Sequence, residues 1–187
     1  MLGSLRYNKL LELPRMTRKT ALAALILAPS FSFAATVLSA PPELNNKSYV
    51  LMDYETGQIL ASKNENEKLA PASMTKMMTS YIIEQKLLSG ELTEDEQVRM
   101  NESAWCRGSS AESCMYVPLN GTATALEMLR GIIIQSGNDA SKAMAEHIAG
   151  NEGTFVHMMN QEAKRIGMAN TQFINETGMA AEGHFAT

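Results

Sequence analysis

Four stretches of this chain carry apolar residues at three- and four-residue spacing, and each runs into a residue that stops a helix. Met77, Met78, Tyr81 and Ile82 lead to Gly90; Leu126, Leu129, Ile132 and Ile133 lead to Ser136-Gly137-Asn138. Ala140, Ala143, Met144, His147 and Ile148 lead to Gly150; Phe155, Met158, Met159 and Ile166 lead to Gly167. That spacing paints one face of an α-helix, and a glycine just past its end ends it. Thr124-Ala125-Leu126-Glu127 opens the second stretch as a capping box, hydroxyl and carboxylate each satisfying a free backbone N–H. Asp139 places a negative charge at the start of the third, where a helix favours it. Ahead of the block, Tyr49 to Tyr54 reads as a strand, Glu55-Thr56-Gly57 as a turn and Gln58 to Ala61 as the returning strand. The pattern is a hairpin followed by helices, without internal repeats and without strands after the last helix.

The sequence has 187 residues, enough for one ordinary domain. Met16-Thr17-Arg18-Lys19 is a short basic start, Thr20 to Phe33 is apolar, and Ser32-Phe33-Ala34 supplies small residues before a cleavage point. That order is a secretory signal peptide over 16–34, with 1–15 as an upstream extension, 35–48 as a linker and 49–187 as one incomplete domain. The competing reading, an uncleaved anchor helix reaching Ala40, is opposed by Pro29 and the Ser/Thr content. Beyond residue 40 there remain 11 Lys/Arg against 19 Asp/Glu, a net charge of −8. So acidic an exported domain is unsuited to nucleic acid, which requires cationic surface.

The two cysteines, Cys106 and Cys114, lie in one polar stretch. In an exported chain a pair this close is expected to form a disulfide, the alternative being two unrelated thiols. Neither has a histidine at metal-ligand spacing, which argues against zinc; no cofactor is expected.

The chemistry concentrates at Ser73-Met74-Thr75-Lys76. On a helix the first and fourth residues share a face, so a hydroxyl and an amine can meet there, one as nucleophile and the other as its base. A second polar group, Ser136-Gly137-Asn138, sits at a tight corner between two apolar helices. Turn and cap chemistry alone would also explain it.

Taken together, Pro71-Ala72-Ser73-Met74-Thr75-Lys76-Met77-Met78-Thr79-Ser80-Tyr81 and Ser136-Gly137-Asn138-Asp139-Ala140 resemble the D-alanyl-D-alanine carboxypeptidases, the low-molecular-mass penicillin-binding proteins. The resemblance continues through Tyr49 to Tyr54 with Gly57, Arg130-Gly131, Phe155-Val156 and Met159-Asn160, and covers nearly everything from Pro41 onward. It implies a mixed α/β (α+β) domain of the penicillin-binding and β-lactamase-like transpeptidase fold, here the first hairpin and helical block without the later sheet strands. It implies Ser73 as the nucleophile that attacks the D-Ala–D-Ala bond, and Lys76 as its base. Ser136 would relay a proton to the leaving D-alanine, and Asn138 would hydrogen-bond Lys76 or the substrate amide. The Ser73 N–H would form half of an oxyanion hole. The implied partners are peptidoglycan pentapeptide stems as substrate and β-lactams as acylating inhibitors, and the implied location is the periplasm, at the outer face of the inner membrane. Membrane association would come only through a C-terminal anchor that this chain does not contain.

The sequence departs from that family at one point. The third family motif, Lys-Thr-Gly on a downstream strand, is missing; Glu176-Thr177-Gly178 is superficially similar, but its glutamate would repel a carboxylate. The chain therefore reads as the N-terminal part of a longer protein or as a truncated product, with apolar faces left open and low stability by itself. A non-catalytic peptidoglycan-binding or degenerate fragment is the alternative. A class A β-lactamase is disfavoured, because the only Glu-Leu-Asn, at 43–45, precedes the nucleophile. His147 and His157 read as ordinary helix residues, His184 as near the site rim, and the methionines as core filler.

Overall fold

The computed structural model describes residues 40–108 and 112–187. The expected upstream extension and signal peptide, and the first residues of the linker, 35–39, lie outside them. A compact unit runs from Leu44 to Thr187. Strands β1 (Tyr49–Met52) and β2 (Ile59–Lys63) form the expected hairpin, with Tyr49 opposite Lys63 and an irregularity at Leu51/Met52. Its turn is closed by the Asp53 carboxylate, which accepts from the Thr56 N–H at 2.8 Å and hydroxyl at 2.6 Å. A single 3-10 turn, Ala72–Met74, leads into α1 (Thr75–Ser89). Strands β3 (Gln97–Arg99) and β4 (Thr122–Thr124) form a second antiparallel pair, and α2 (Ala125–Gln135), α3 (Asn138–Ala149) and α4 (Glu152–Arg165) follow. The capping box is made as expected: Glu127 N–H donates to Thr124 Oγ1, and Thr124 N–H to Glu127 Oε2.

α1 lies between two apolar clusters and feeds both. Its Ile83 packs with Val98, Met100, Met128, Leu129, Ile132 and Met144, while its Met78 and Ile82 pack with Phe155, Met159 and Phe173. A helix buried on both flanks is held in place by each, at about 1.5–3 kcal/mol per fully buried large side chain. The core-filler reading holds for Met78, Met100, Met128, Met144 and Met159 but not for Met74 and Met77, which are 69% and 71% exposed. Ile133, read as part of the apolar face of α2, is also open to solvent at 60%. The hairpin leaves Val50, Leu51, Met52, Ile59 and Leu60 about half exposed, as expected of apolar faces without cover. The β3–β4 pair, whose first strand follows the acidic Glu91–Glu96 run, is not legible in the sequence, because only Val98 of β3 faces the core. The last residues return to the block: Phe185 pairs with Gln172, and Ala186 with Leu69, four residues ahead of Ser73.

Candidate active site

Ser73 occupies the 3-10 turn rather than the α-helix, so its side chain stays exposed while Thr75 and Lys76, inside α1, are buried. Ala72, just before it, has φ +49, a left-handed conformation that costs a non-glycine residue about 1 kcal/mol or more. From the other side, α2 ends on Ser136, itself left-handed at φ 55, ψ 38, and this corner aims the Ser136 hydroxyl at Ser73. Ser136 Oγ donates to Ser73 Oγ at 3.0 Å. Lys76, 5% exposed, donates through Nζ to Asn138 Oδ1 at 2.7 Å and to the Thr177 carbonyl at 2.6 Å. The four side chains singled out in the sequence therefore meet in one place.

Burial lowers the Lys76 pKa by disfavouring the ammonium, against the upward pull of Glu176 and then Glu112. An ammonium has three N–H groups and two are committed to Asn138 and Thr177. The remaining position carries the lone pair in the neutral amine. Lys76 lines, with Ser73 and Ser136, a cleft of about 600 Å³ whose other lining residues include Met77, Tyr81, Ile132 and Ile133. A second cavity of about 310 Å³ adjoins Ser73 on its polar side, among Ser113, Asn138, Thr177, Gly178 and Met179. Ser73 stands on the wall common to both.

The Ser136 corner is braced by the cysteine loop. Cys106 and Cys114 are bonded, with S–S 2.02 Å, as expected. Directly after the bridge, Asp139 gathers the loop: Oδ1 accepts from the Met115 N–H and its own helix's Ala140 N–H, and Oδ2 from the Tyr116 N–H, each at 2.8 Å. The Asn138 N–H donates to the Ser113 carbonyl at 2.8 Å, and the Ser113 hydroxyl donates to the Gln135 carbonyl. Gly131 lies tight against the Met115 side chain, which would have to shift to admit a Cβ there. Asp139→Ala is expected to cost about 2–3 kcal/mol, since it orphans three N–H groups of which those of Met115 and Tyr116 can partly turn to water. Urea denaturation measures it; an unchanged midpoint would show that solvent fully replaces the carboxylate.

The segment Glu176-Thr177-Gly178, only superficially similar to Lys-Thr-Gly in sequence, forms the floor of the site. Thr79 Oγ1 donates to the Glu176 carbonyl at 2.7 Å, Lys76 bonds the next carbonyl, and Gly178 lies against the Ala72 carbonyl. No spacing rule connects residue 176 to residue 76; only the glycine, at φ +81, hinted at a tight approach. His184, expected near the rim, is instead buried behind the turn. Its Nδ1 accepts from the Ile174 N–H at 3.4 Å, so Nε2 carries the proton donated to Thr75 Oγ1 at 2.9 Å. Burial lowers its pKa, which favours the neutral imidazole. His147, read as an ordinary helix residue, pairs with Glu96 at 2.7 Å, away from Ser73.

Comparison with known proteins bears on the family of the chain. Residues 35–187 match the D-alanyl-D-alanine carboxypeptidase family. The chain is 38% identical over 170 residues to a D-alanyl-D-alanine carboxypeptidase (DacA) of Haemophilus influenzae, covering 89% of this chain and 43% of that protein. It is 47% identical over 141 residues to the carboxypeptidase DacF of Bacillus subtilis, covering 75% of this chain and 36% of that one. Among solved structures, penicillin binding protein 5 of Haemophilus influenzae superposes with a TM-score of 0.77 at 39% identity, covering 80% of this chain and 43% of that one. The chain thus spans under half the length of these relatives.

Proposed function

The chain belongs to the D-alanyl-D-alanine carboxypeptidase family, and on that premise we propose that it carries the acylating half of a serine carboxypeptidase that removes the terminal D-alanine of peptidoglycan pentapeptides. The observation that carries the reading is the contact of Ser136 Oγ with Ser73 Oγ at 3.0 Å, beside a buried Lys76 whose pKa is lowered by burial. Ser73 Oγ attacks the carbonyl carbon of the D-Ala–D-Ala bond while neutral Lys76 takes the hydroxyl proton. Ser136 hands its hydroxyl proton to the leaving nitrogen and takes up the proton held by Lys76 in its place, the C–N bond breaks, and D-alanine departs from an acyl-ester on Ser73. Water then hydrolyses that ester, regenerating the serine. Asn138 holds Lys76 in place through Oδ1.

β-Lactams, which present an acylating carbonyl to the same serine, are proposed as inhibitors; the similarity to a penicillin binding protein supports this. Export to the periplasmic face of the membrane is proposed as well, supported by the basic, apolar and small residues of 16–34 and by the Cys106–Cys114 bond. The sequence contains no Lys-Thr-Gly, which favours a second reading for the chain by itself, binding or slow acylation without turnover.

Intact-mass measurement after incubation with benzylpenicillin tests the proposal. In a protein that joins this chain to a Lys-Thr-Gly strand, one penicilloyl adduct is expected on Ser73, absent in Ser73→Ala. No adduct there would refute the carboxypeptidase reading. Rapid stoichiometric labelling of the chain alone would refute the slow-acylation reading.

A further inference from the structure

Glu176 is fully buried, and neither of its carboxylate oxygens has a hydrogen-bond partner among the described residues. Such a group is costly to ionise and is rarely kept without a use. Its backbone fixes where it sits. The Glu176 carbonyl accepts from Thr79, the Thr177 carbonyl accepts from Lys76, and Gly178 is pressed against Ala72. Three consecutive residues are thereby tied to the turn that carries Ser73 and to the start of α1, which carries Lys76. Lys142 of α3 and Glu152 at the start of α4 act on the Glu176 carboxyl. Lys76 feels Glu176 first among charges and then Glu112, whose own partner is Lys142 at 3.7 Å.

We infer that Glu176 is a positioning residue for Lys76: its ionised carboxylate keeps the Lys76 ammonium protonated, and its neutral acid releases the amine to serve as a base. Glu176 lies below the reacting atoms and lines neither cavity beside Ser73. It acts only through Lys76, and the inference rests on the reading of Lys76 as the group that takes the Ser73 proton. Burial pushes the Glu176 carboxyl up to about 7, with Glu152 adding to the rise and Lys142 opposing it. The two forms therefore exchange across the range in which a serine peptidase works. Lowering the pH through that range removes the carboxylate and leaves Lys76 with less to hold its proton. This broadens the interval over which neutral amine persists.

The test follows Lys76 itself. The chain is labelled with 13C-lysine, and the Lys76 Cε resonance is assigned by its loss in Lys76→Arg. It is then titrated from about pH 5 to 10 in the wild type, Glu176→Gln and Glu176→Asp. The wild-type curve is expected to depart from a single ionisation near pH 7. In Glu176→Gln that departure is lost and the Lys76 midpoint falls by about half a unit or more, while Glu176→Asp keeps it. A wild-type curve that fits one ionisation, or equal midpoints in wild type and Glu176→Gln, overturns the inference; the first outcome needs no variant to fold. In a protein that is acylated, the acid limb of the penicillin acylation rate should move to lower pH in Glu176→Gln. A merely structural role would instead lower the rate at every pH. Because the titration does not depend on acylation, failure of the carboxypeptidase reading leaves it intact as a separate result.

Discussion

In a protein that joins this chain to a Lys-Thr-Gly strand, Lys76→Arg is expected to slow acylation of Ser73 by about 10²- to 10⁴-fold, with the folded structure retained. Arginine keeps a positive charge and offers N–H donors to Asn138 Oδ1 and the Thr177 carbonyl, the two partners Lys76 holds at 2.7 and 2.6 Å. What it cannot do is lose its proton in the working range. The substitution therefore separates two jobs that the lysine combines, holding the corner and accepting a proton. Lys76→Met separates them the other way. It removes the charge and leaves both oxygens unpaired at about 1–3 kcal/mol each, partly offset because no ammonium has to be desolvated. Stopped-flow acylation by a chromogenic cephalosporin, with a urea midpoint for each variant, reads both jobs. Near wild-type acylation in Lys76→Arg would mean that the Ser73 proton leaves by another route, with Ser136 the remaining neighbour at 3.0 Å.

Much of this site was legible because its residues are local in the sequence. Ser73 and Lys76 are three apart, and Ser136 and Asn138 share one corner whose position follows from where the apolar spacing of α2 stops and that of α3 begins. The helices were found for the same reason: their caps and stops are written beside them, as at Thr124, Gly90 and Gly150. The placement of Ser73 in a 3-10 turn was not, since the apolar period continues through it and only the positive φ of Ala72 breaks the helix. The β3–β4 pair was missed because a three-residue strand with one buried side chain has no period to read. The floor of the site was missed for a different reason. Glu176, Thr177 and Gly178 act mainly through backbone carbonyls and close approach, and a carbonyl leaves no trace in residue identity. Asp139 shows the middle case: its charge was read as a favourable helix start, whereas most of its hydrogen-bonding capacity is spent on Met115 and Tyr116, more than twenty residues upstream.

Gly178→Ala should be the most damaging glycine-to-alanine change among the described residues. At φ +81 the residue lies where a side chain is strained whatever the space around it, and a Cβ there would also collide with the Ala72 carbonyl and come within 2.9 Å of Thr75 Oγ1. The obstacle on one side is backbone, which cannot rotate away, and Ala72 is itself left-handed and immediately precedes Ser73. Backbone strain and overpacking together give roughly 2–5 kcal/mol of destabilisation. Relief can come only by moving Ala72, which moves the nucleophile, or by lifting the 176–178 segment, which takes the Thr177 carbonyl from Lys76. Gly90→Ala provides the comparison. Gly90 has nearly the same φ, +75, at the end of α1, but nothing lies within 4 Å of its added Cβ. That variant should lose only the backbone share, about 1 kcal/mol, and should leave acylation unchanged. Equal urea midpoints for the two variants would mean that Gly178 does not bear on Ala72 in solution. A Gly178→Ala protein that is destabilised but acylates normally would show that Ser73 and Lys76 keep their geometry without the floor.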